Sequence, residues 1–156
     1  MIGELNEQQI EDLLSKQVVG RIACHNEDLV YLFPISYAYD QNSIYARGFE
    51  GMKLDIMRKN PNVCFEADDI TDMANWQSVI SWGKFEELKN GQRETGLRIL
   101  LHRHLPLSSS ITTHLGKAWP FSMHDLEEIT GIVFRINLTK KTGRFEQVSI
   151  PDPTYE

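Results

Sequence analysis

Between Tyr31 and Lys53 the chain reads YLFPISYAYDQNSIYARGFEGMK, and in its second half Arg47 and Lys53 stand on either side of Gly48 and Gly51. Two cations around glycines suit a phosphate, because the glycines let backbone amides approach the oxygens and the fixed charges complement them. Lys53 also falls in the first turn of an expected helix, Met52 to Asn60, stopped by Pro61, whose N-terminus adds partial positive charge. The pattern GxxGxK is shorter than the P-loop signature, so it points to an anion and not to that motif. Just upstream, Pro34 lacks a backbone donor. It is expected at a sheet edge or bulge, leaving neighbouring amides and carbonyls of Ile35, Ser36 and Tyr37 open to a ligand.

Other chemistries find less support. His102 and His104 lie two apart on an expected helix and point to different faces, and there is no HExxH or His-carboxylate cluster, so no metal site is assigned. No GxSxG elbow is present and neither Ser36 nor Ser78 has a base in its sequence context, so no catalytic residue is assigned. GxGxxG is absent, which removes the usual nicotinamide-binding Rossmann reading. Cys24 and Cys64 occur in strand-like runs without a CxxC pattern and read as buried thiols. The aromatics Tyr31, Phe33, Tyr37, Tyr39, Tyr45, Trp76, Trp82, Trp119 and Phe121 are numerous enough to flank a planar ring. They equally suit strands and a core.

A chain of 156 residues fits one domain, residues 1–156, with a real core. A net charge of −6 argues against a nucleic-acid surface while leaving room for a local basic cluster around a nucleotide-sized ligand. No apolar run approaches the roughly 20 residues of a membrane helix, and MIGELNEQQIEDLL lacks a signal peptide's regions. A cytoplasmic location is the expectation.

The elements that must position these residues follow from periodicity. Residues 5–16 form an expected helix with Asn6 as cap, Gln9 at the reciprocal position and Leu5 with Ile10 as staple. Gly20–His25, Leu29–Tyr39 and Ser43–Arg47 read as a three-stranded antiparallel meander, with Asn26-Glu27-Asp28 and Asp40-Gln41-Asn42 as turns. Val63–Asp68 is a further strand, Asp69–Asn75 a polar connection, and Trp76–Leu88 a long strand in which Gly83 marks a bulge or bend. Residues 90–105 form an amphipathic helix carrying Leu97, Leu100, Leu101 and Leu105, and Pro106 stops it. Ile129–Lys140 is a strand, with Thr142-Gly143 turning into a last short extended piece. Five or six strands with helices between them and no βαβ alternation indicate an α+β domain on an antiparallel barrel or curled sheet.

Several blocks together resemble a known family. Gly20-Arg21-Ile22-Ala23, Phe33-Pro34-Ile35-Ser36-Tyr37, Ile44-Tyr45-Ala46-Arg47-Gly48 with Gly51-Met52-Lys53-Leu54, Asn60-Pro61-Asn62-Val63-Cys64-Phe65, and Trp76-Gln77-Ser78-Val79-Ile80 with Gly83-Lys84-Phe85 are similar to the ordered blocks of the pyridoxamine 5'-phosphate oxidase-related flavin-binding proteins. The nitroimidazole-resistance group is the nearest likeness. The match spans residues 1 to about 105, and the carboxyl-terminal third is joined to it chiefly through Trp119-Pro120-Phe121 and the strand ending in Thr142-Gly143-Arg144. The resemblance implies an antiparallel split β-barrel with flanking helices, assembled as a homodimer with two flavin sites at the interface. It puts the Pro34–Tyr37 backbone and the Tyr45–Gly48 strand beside the isoalloxazine, Lys53 on the phosphate, Ser78 and Val79 in reach from the partner, and Trp119 among the cofactor contacts. FMN is the implied cofactor; FAD is the alternative, with residues 107–125 hosting its adenosine. Arg47 stands where that group often carries histidine in a YxHG block. Its guanidinium is suited either to the phosphate or to the charge that collects near N1 and O2 of a reduced ring. The implied activity is reduction of a small molecule, such as a nitroaromatic or quinone, with NADH or NADPH as donor. The alternatives are a flavin binder or sensor without turnover, and a barrel that binds haem.

Overall fold

The computed structural model describes residues 1–103, 126 and 129–148. In chain order these form β1 (Ile2–Glu4), α1 (Glu7–Lys16), β2 (Val19–Asn26), β3 (Leu29–Asp40), β4 (Ser43–Gly48), α2 (Met52–Lys59), β5 (Asn62–Asp72), β6 (Asn75–Glu87), α3 (Asn90–His102) and β7 (Ile132–Glu146). Every strand pairing is antiparallel, in the order β1-β7-β4-β3-β2-β5-β6, and a further pairing of β6 with β7 closes the sheet into a barrel. The seven strands exceed the five or six read from the sequence, because β1 is a three-residue addition to the end of β7. Among the described residues no helix is long and apolar enough to cross a membrane.

Alternation places the core. On β2, β5 and β6 every second residue is buried, and Ile22, Phe65, Ala67 and Val79 meet Phe33, Tyr37, Ile44 and Ile136 in the barrel interior. Helix α1 adds Ile10, Leu13 and Leu14 to this cluster, and α2 adds Leu54, Ile56 and Met57. The capping box on α1 forms as expected, Gln9 N donating to Asn6 Oδ1 and Asn6 N to Gln9 Oε1, both at 2.9 Å. Helix α3 instead covers the outside of the barrel, where Leu97 and Leu100 join Ala38, Tyr45 and Val133 in a second apolar cluster.

Three sequence readings need correction. The Asp69–Asn75 connection is for the most part strand, since β5 runs to Asp72 and β6 begins at Asn75. Its polar residues reflect exposure of the hairpin beyond the barrel, where both faces meet water. Thr142-Gly143 is no turn: β7 continues for 15 residues through it, and Gly143 O accepts from Leu5 N at 2.9 Å as the chain enters α1. Helix α3 ends at His102, short of the 105 expected. The bulge at Gly83 does occur, as a register shift against β7 between Trp82 and Gly83. A Cβ on Gly83 would lie 2.3 Å from the Asn137 carbonyl oxygen, so only glycine lets the two backbones pass there.

Candidate functional site

The barrel is split between β3 and β4. These strands pair only over Tyr37–Asp40 and Ser43–Ala46; upstream, Leu29–Ser36 pair with β2 alone, while Arg47 and Gly48 pair with β7 alone. Pro34 thus sits opposite Arg21 on one edge and faces the split with the other, as its missing donor anticipates. A cavity of about 410 Å³ fills the gap. Phe33, Pro34, Ile35 and Ser36 form one wall, Arg47, Gly48 and Phe49 another, and Leu54, Met57, Leu100 and Phe134 supply apolar surface.

Helix α2 contributes its N-terminus. Gly51 is the extended N-cap residue and makes no side-chain cap, and the first helical bond runs from Asp55 N to Gly51 O at 3.1 Å. The amides of Met52, Lys53 and Leu54 precede that bond and are available to an anion. Lys53 Nζ lies 4.4 Å from the centre of the Phe33 ring, which fixes the ammonium at the cavity wall. Its charge is felt by the neighbouring Cys24, whose thiol burial pushes up and Lys53 pulls partly back. The loop that brings α2 here is clipped by Arg58, which donates to both Glu50 carboxylate oxygens at 2.7 and 2.9 Å and to Glu87 at 3.0 Å.

The opposite side is a cluster of arginines. Arg47 Nη1 donates to Thr130 O at 3.1 Å with its guanidinium 5.4 Å over Phe49, and Arg93 Nη2 donates to Ile129 O at 2.6 Å and Gly131 O at 3.2 Å. Gly131 adopts φ +99°, and a Cβ there would stand 2.8 Å from Gly48 O, so this segment presses against the end of β4. Burial, then the nearby Arg93 charge, lowers the Arg47 pKa. Arg103, at the end of α3, also lines the cavity; burial and then Arg47 bring its pKa down to about 10. No carboxylate lines the cavity among the described residues. Like charges gathered in a partly dry site repel one another, and an anion bound among them would relieve that repulsion.

Of the residues singled out from the sequence, Pro34, Ile35, Ser36, Arg47, Gly48 and Lys53 are brought together around this one cavity. Tyr37 and Tyr45 are not: the Tyr37 side chain is fully buried and its hydroxyl donates to Leu14 O at 2.7 Å, while Tyr45 packs under α3. Ser78 and Val79 lie on β6, away from the cavity within one chain; Ser78 Oγ donates to Glu66 Oε1 at 3.1 Å and Val79 is fully buried. Trp119 lies outside the described residues. Arg103, Phe49, Leu100 and Phe134 line the cavity without having been expected. Arg103 reads in sequence as one more helix-end cation, and only the packing of α3 over the split brings it to the site.

This architecture can be set beside known proteins. The family model described as pyridoxamine 5'-phosphate oxidase matches residues 6–145. The chain belongs to that family. Its fold is the family's flavin-binding split barrel, as the resemblance of the separate blocks implied. A solved member, an FAD-binding protein from Mesorhizobium loti, is 26% identical, with 94% of this chain and 99% of that one covered and a TM-score of 0.72. A candidate 5-nitroimidazole antibiotic resistance protein from Bacteroides thetaiotaomicron shares the fold at 16% identity and a TM-score of 0.69, covering 93% of this chain and 87% of its own. An uncharacterized protein from Rhizobium meliloti is 30% identical over 84 residues, 54% of this chain. The chain spans about half the length of that curated relative, 56%.

Proposed function

We propose that the protein is a flavin-dependent oxidoreductase that binds its cofactor in the split between β3 and β4 and reduces a small molecule at the expense of NADH or NADPH. The observation that carries this reading is the cation-lined cavity, with no carboxylate among its described lining residues, against the open backbone edge of Pro34–Ser36. The donor set fits a flavin. An open strand edge offers amides and carbonyls to the edge of a heteroaromatic ring, apolar side chains cover the ring's faces, and an uncapped helix start with a lysine suits a phosphate. The 26% identical Mesorhizobium loti protein binds FAD, which supports the same cofactor class here.

When bound, a flavin supplies two-electron chemistry at its ring, with negative charge collecting near N1 and O2 in the reduced form. The chain's own residues hold and tune it. Lys53 and the first amides of α2 would take the phosphate of FMN or of the FMN half of FAD. Pro34, Ile35 and Ser36 would orient the ring, and Arg47, held by Thr130 O, adds positive potential that favours the reduced state. A donor-acceptor scheme of this kind needs no protein nucleophile. Nitroaromatics and quinones are the proposed acceptors. Reduction of nitroimidazoles in particular does not follow from the family likeness, since Arg47 replaces the histidine common in that group.

We also propose that two copies complete the site. Opposed residues on neighbouring strands share a face, so Leu32, Ala23, Cys64 and Trp82 form one row across the outside of β3, β2, β5 and β6, with Ile80 beside it. Leu32 is 67% exposed and Val30 72%, an apolar surface that a second copy would cover. Ser78 lies on this same outer face, where it could reach a partner's cavity.

The test is a visible absorption spectrum of the purified protein, chromatography of what heat releases, and then reduction by NADH or NADPH with reoxidation by a nitroaromatic or quinone. A flavin spectrum with turnover is expected. A colourless protein that takes up neither FMN nor FAD would overturn the reading.

A further inference from the structure

The outer face of the barrel carries a charge imbalance beside its apolar row. Arg21, Glu66 and Ile80 stand opposite one another on β2, β5 and β6, one step along from Ala23, Cys64 and Trp82. Arg21 Nη1 donates to Glu66 Oε2 at 3.0 Å and to Asp68 Oδ2 at 2.9 Å, so two carboxylates share one nitrogen of one guanidinium. Ser78 Oγ spends its proton on the other Glu66 oxygen. The charges around this group do not restore neutrality. Lys16, from α1, is taken by Asp69, and Arg144, opposite Ser78 on β7, lies 3.4 Å from Glu4. Cys64 and Tyr37, which both feel the Glu66 charge, bring no positive charge of their own. One carboxylate of the face is thus left without a cation of its own. Burial is the largest influence on Glu66, and with repulsion from Asp68 it outweighs the Arg21 hydrogen bond, so the Glu66 pKa lies above the ordinary carboxylate value.

We propose that assembly of two copies through this face is linked to protons: each chain takes up one at Glu66 as the face is covered, so the dimer tightens as the pH falls. Proton linkage of this kind rests on the dimer reading, because only a second copy brings two such clusters together. The side chains of Glu66 and Asp68 are each 25% exposed in a single chain, and a partner on the adjoining apolar row would take that water away. Two excess negative charges would then share a water-poor seam, where like charges repel far more strongly than in water. A proton from solvent on each Glu66 leaves Arg21 and Asp68 paired one to one and gives the cluster a new O–H donor. A carboxyl whose pKa is higher in the dimer than in the free chain binds more protons in the dimer. Association is therefore strongest in acid and weakens as the pH rises from the free-chain Glu66 pKa, already above the ordinary value, through that of the dimer. Histidine gains charge on acidification, so His25, opposite Val30 on the same face, would loosen the dimer in acid and acts with the opposite sign.

The experiment measures the dimer dissociation constant by sedimentation of serially diluted protein from about pH 5 to about pH 8 at constant ionic strength. In wild type the Kd should rise at least about tenfold across that range. Glu66→Gln, neutral at every pH, should keep a Kd constant within about twofold and close to the wild-type value in acid. Asp68→Asn, which leaves one carboxylate for the guanidinium, should lose the pH dependence too, and it decides the matter if Glu66→Gln does not fold. A wild-type dimer whose Kd is flat or falls with rising pH, or that dilution does not dissociate at the alkaline end, overturns the proton linkage and leaves the dimer reading in place. A pH dependence that persists unchanged in either variant also overturns it, since the proton then goes to another group. A monomer at every pH overturns the dimer reading and the linkage together.

Discussion

Lys53, at the cavity wall, and Glu11, on α1, carry separate single-residue predictions in different parts of the barrel. If Lys53 meets the cofactor phosphate, Lys53→Ala removes a charge-assisted hydrogen bond and should weaken flavin binding by about 1.5–3 kcal/mol, roughly a ten- to hundredfold rise in Kd by fluorescence titration. Unchanged affinity would remove Lys53 from the site. Glu11 works far from it: its carboxylate accepts from Lys141 and, at 2.7 Å, from Tyr39, tying α1 to β7 and β3. Burial pushes the Glu11 pKa up, but those two hydrogen bonds outweigh it and the net shift is downward. A depressed carboxyl pKa gives stability that is present above the unfolded value and is lost as pH falls through the folded one. Glu11→Gln should therefore cost about 1 kcal/mol at pH 7, discounted for its partial exposure, and in urea unfolding the two proteins should converge in acid, once the carboxyl is protonated in the folded state as well. A gap that persists in acid would assign Glu11 a packing role instead.

Elements differ in how openly the sequence announces them. Helix α1, the β2–β3–β4 meander and α2 were legible because their signals are local: a capping box, turns at Glu27 and at Gln41-Asn42 with positive φ, and Pro61 after the helix. The wall of the candidate site shared that clarity, since Pro34–Ser36 and Arg47–Lys53 lie on adjoining stretches of chain. The illegible parts depend on distant partners. Strand β1 exists only because Ile2–Glu4 find Arg144–Glu146, and β7 runs through Gly143 because both of its edges are occupied. Arg103 became visible as a site residue only when Leu97 and Leu100 seated α3 on the barrel. Gly83 belongs between these cases, a bulge foreseen whose partner was not. Gly83→Ala would push its methyl into the Asn137 backbone, and equilibrium unfolding should show a loss of about 3 kcal/mol. A neutral effect would mean that the β6–β7 seam yields more easily than its geometry implies.

For the whole molecule, the proposed dimer makes site completion and assembly one event. Leu32→Glu puts a charge in the apolar row and should convert dimer to monomer in sedimentation velocity while also weakening flavin uptake. A dimer unaffected by it would move the interface elsewhere. The barrel's topology has a consequence for biosynthesis as well. Among the described residues, the strand that pairs with Arg47 and Gly48 is β7, which also supplies Phe134 to the cavity and closes the barrel against β6. While the chain is being made, the Pro34 wall, both glycines and Lys53 emerge long before the strand that holds β4 in place. The pocket is thus complete only once β7 has emerged, and any ligand of the cavity must wait for that strand however early the lining residues appear.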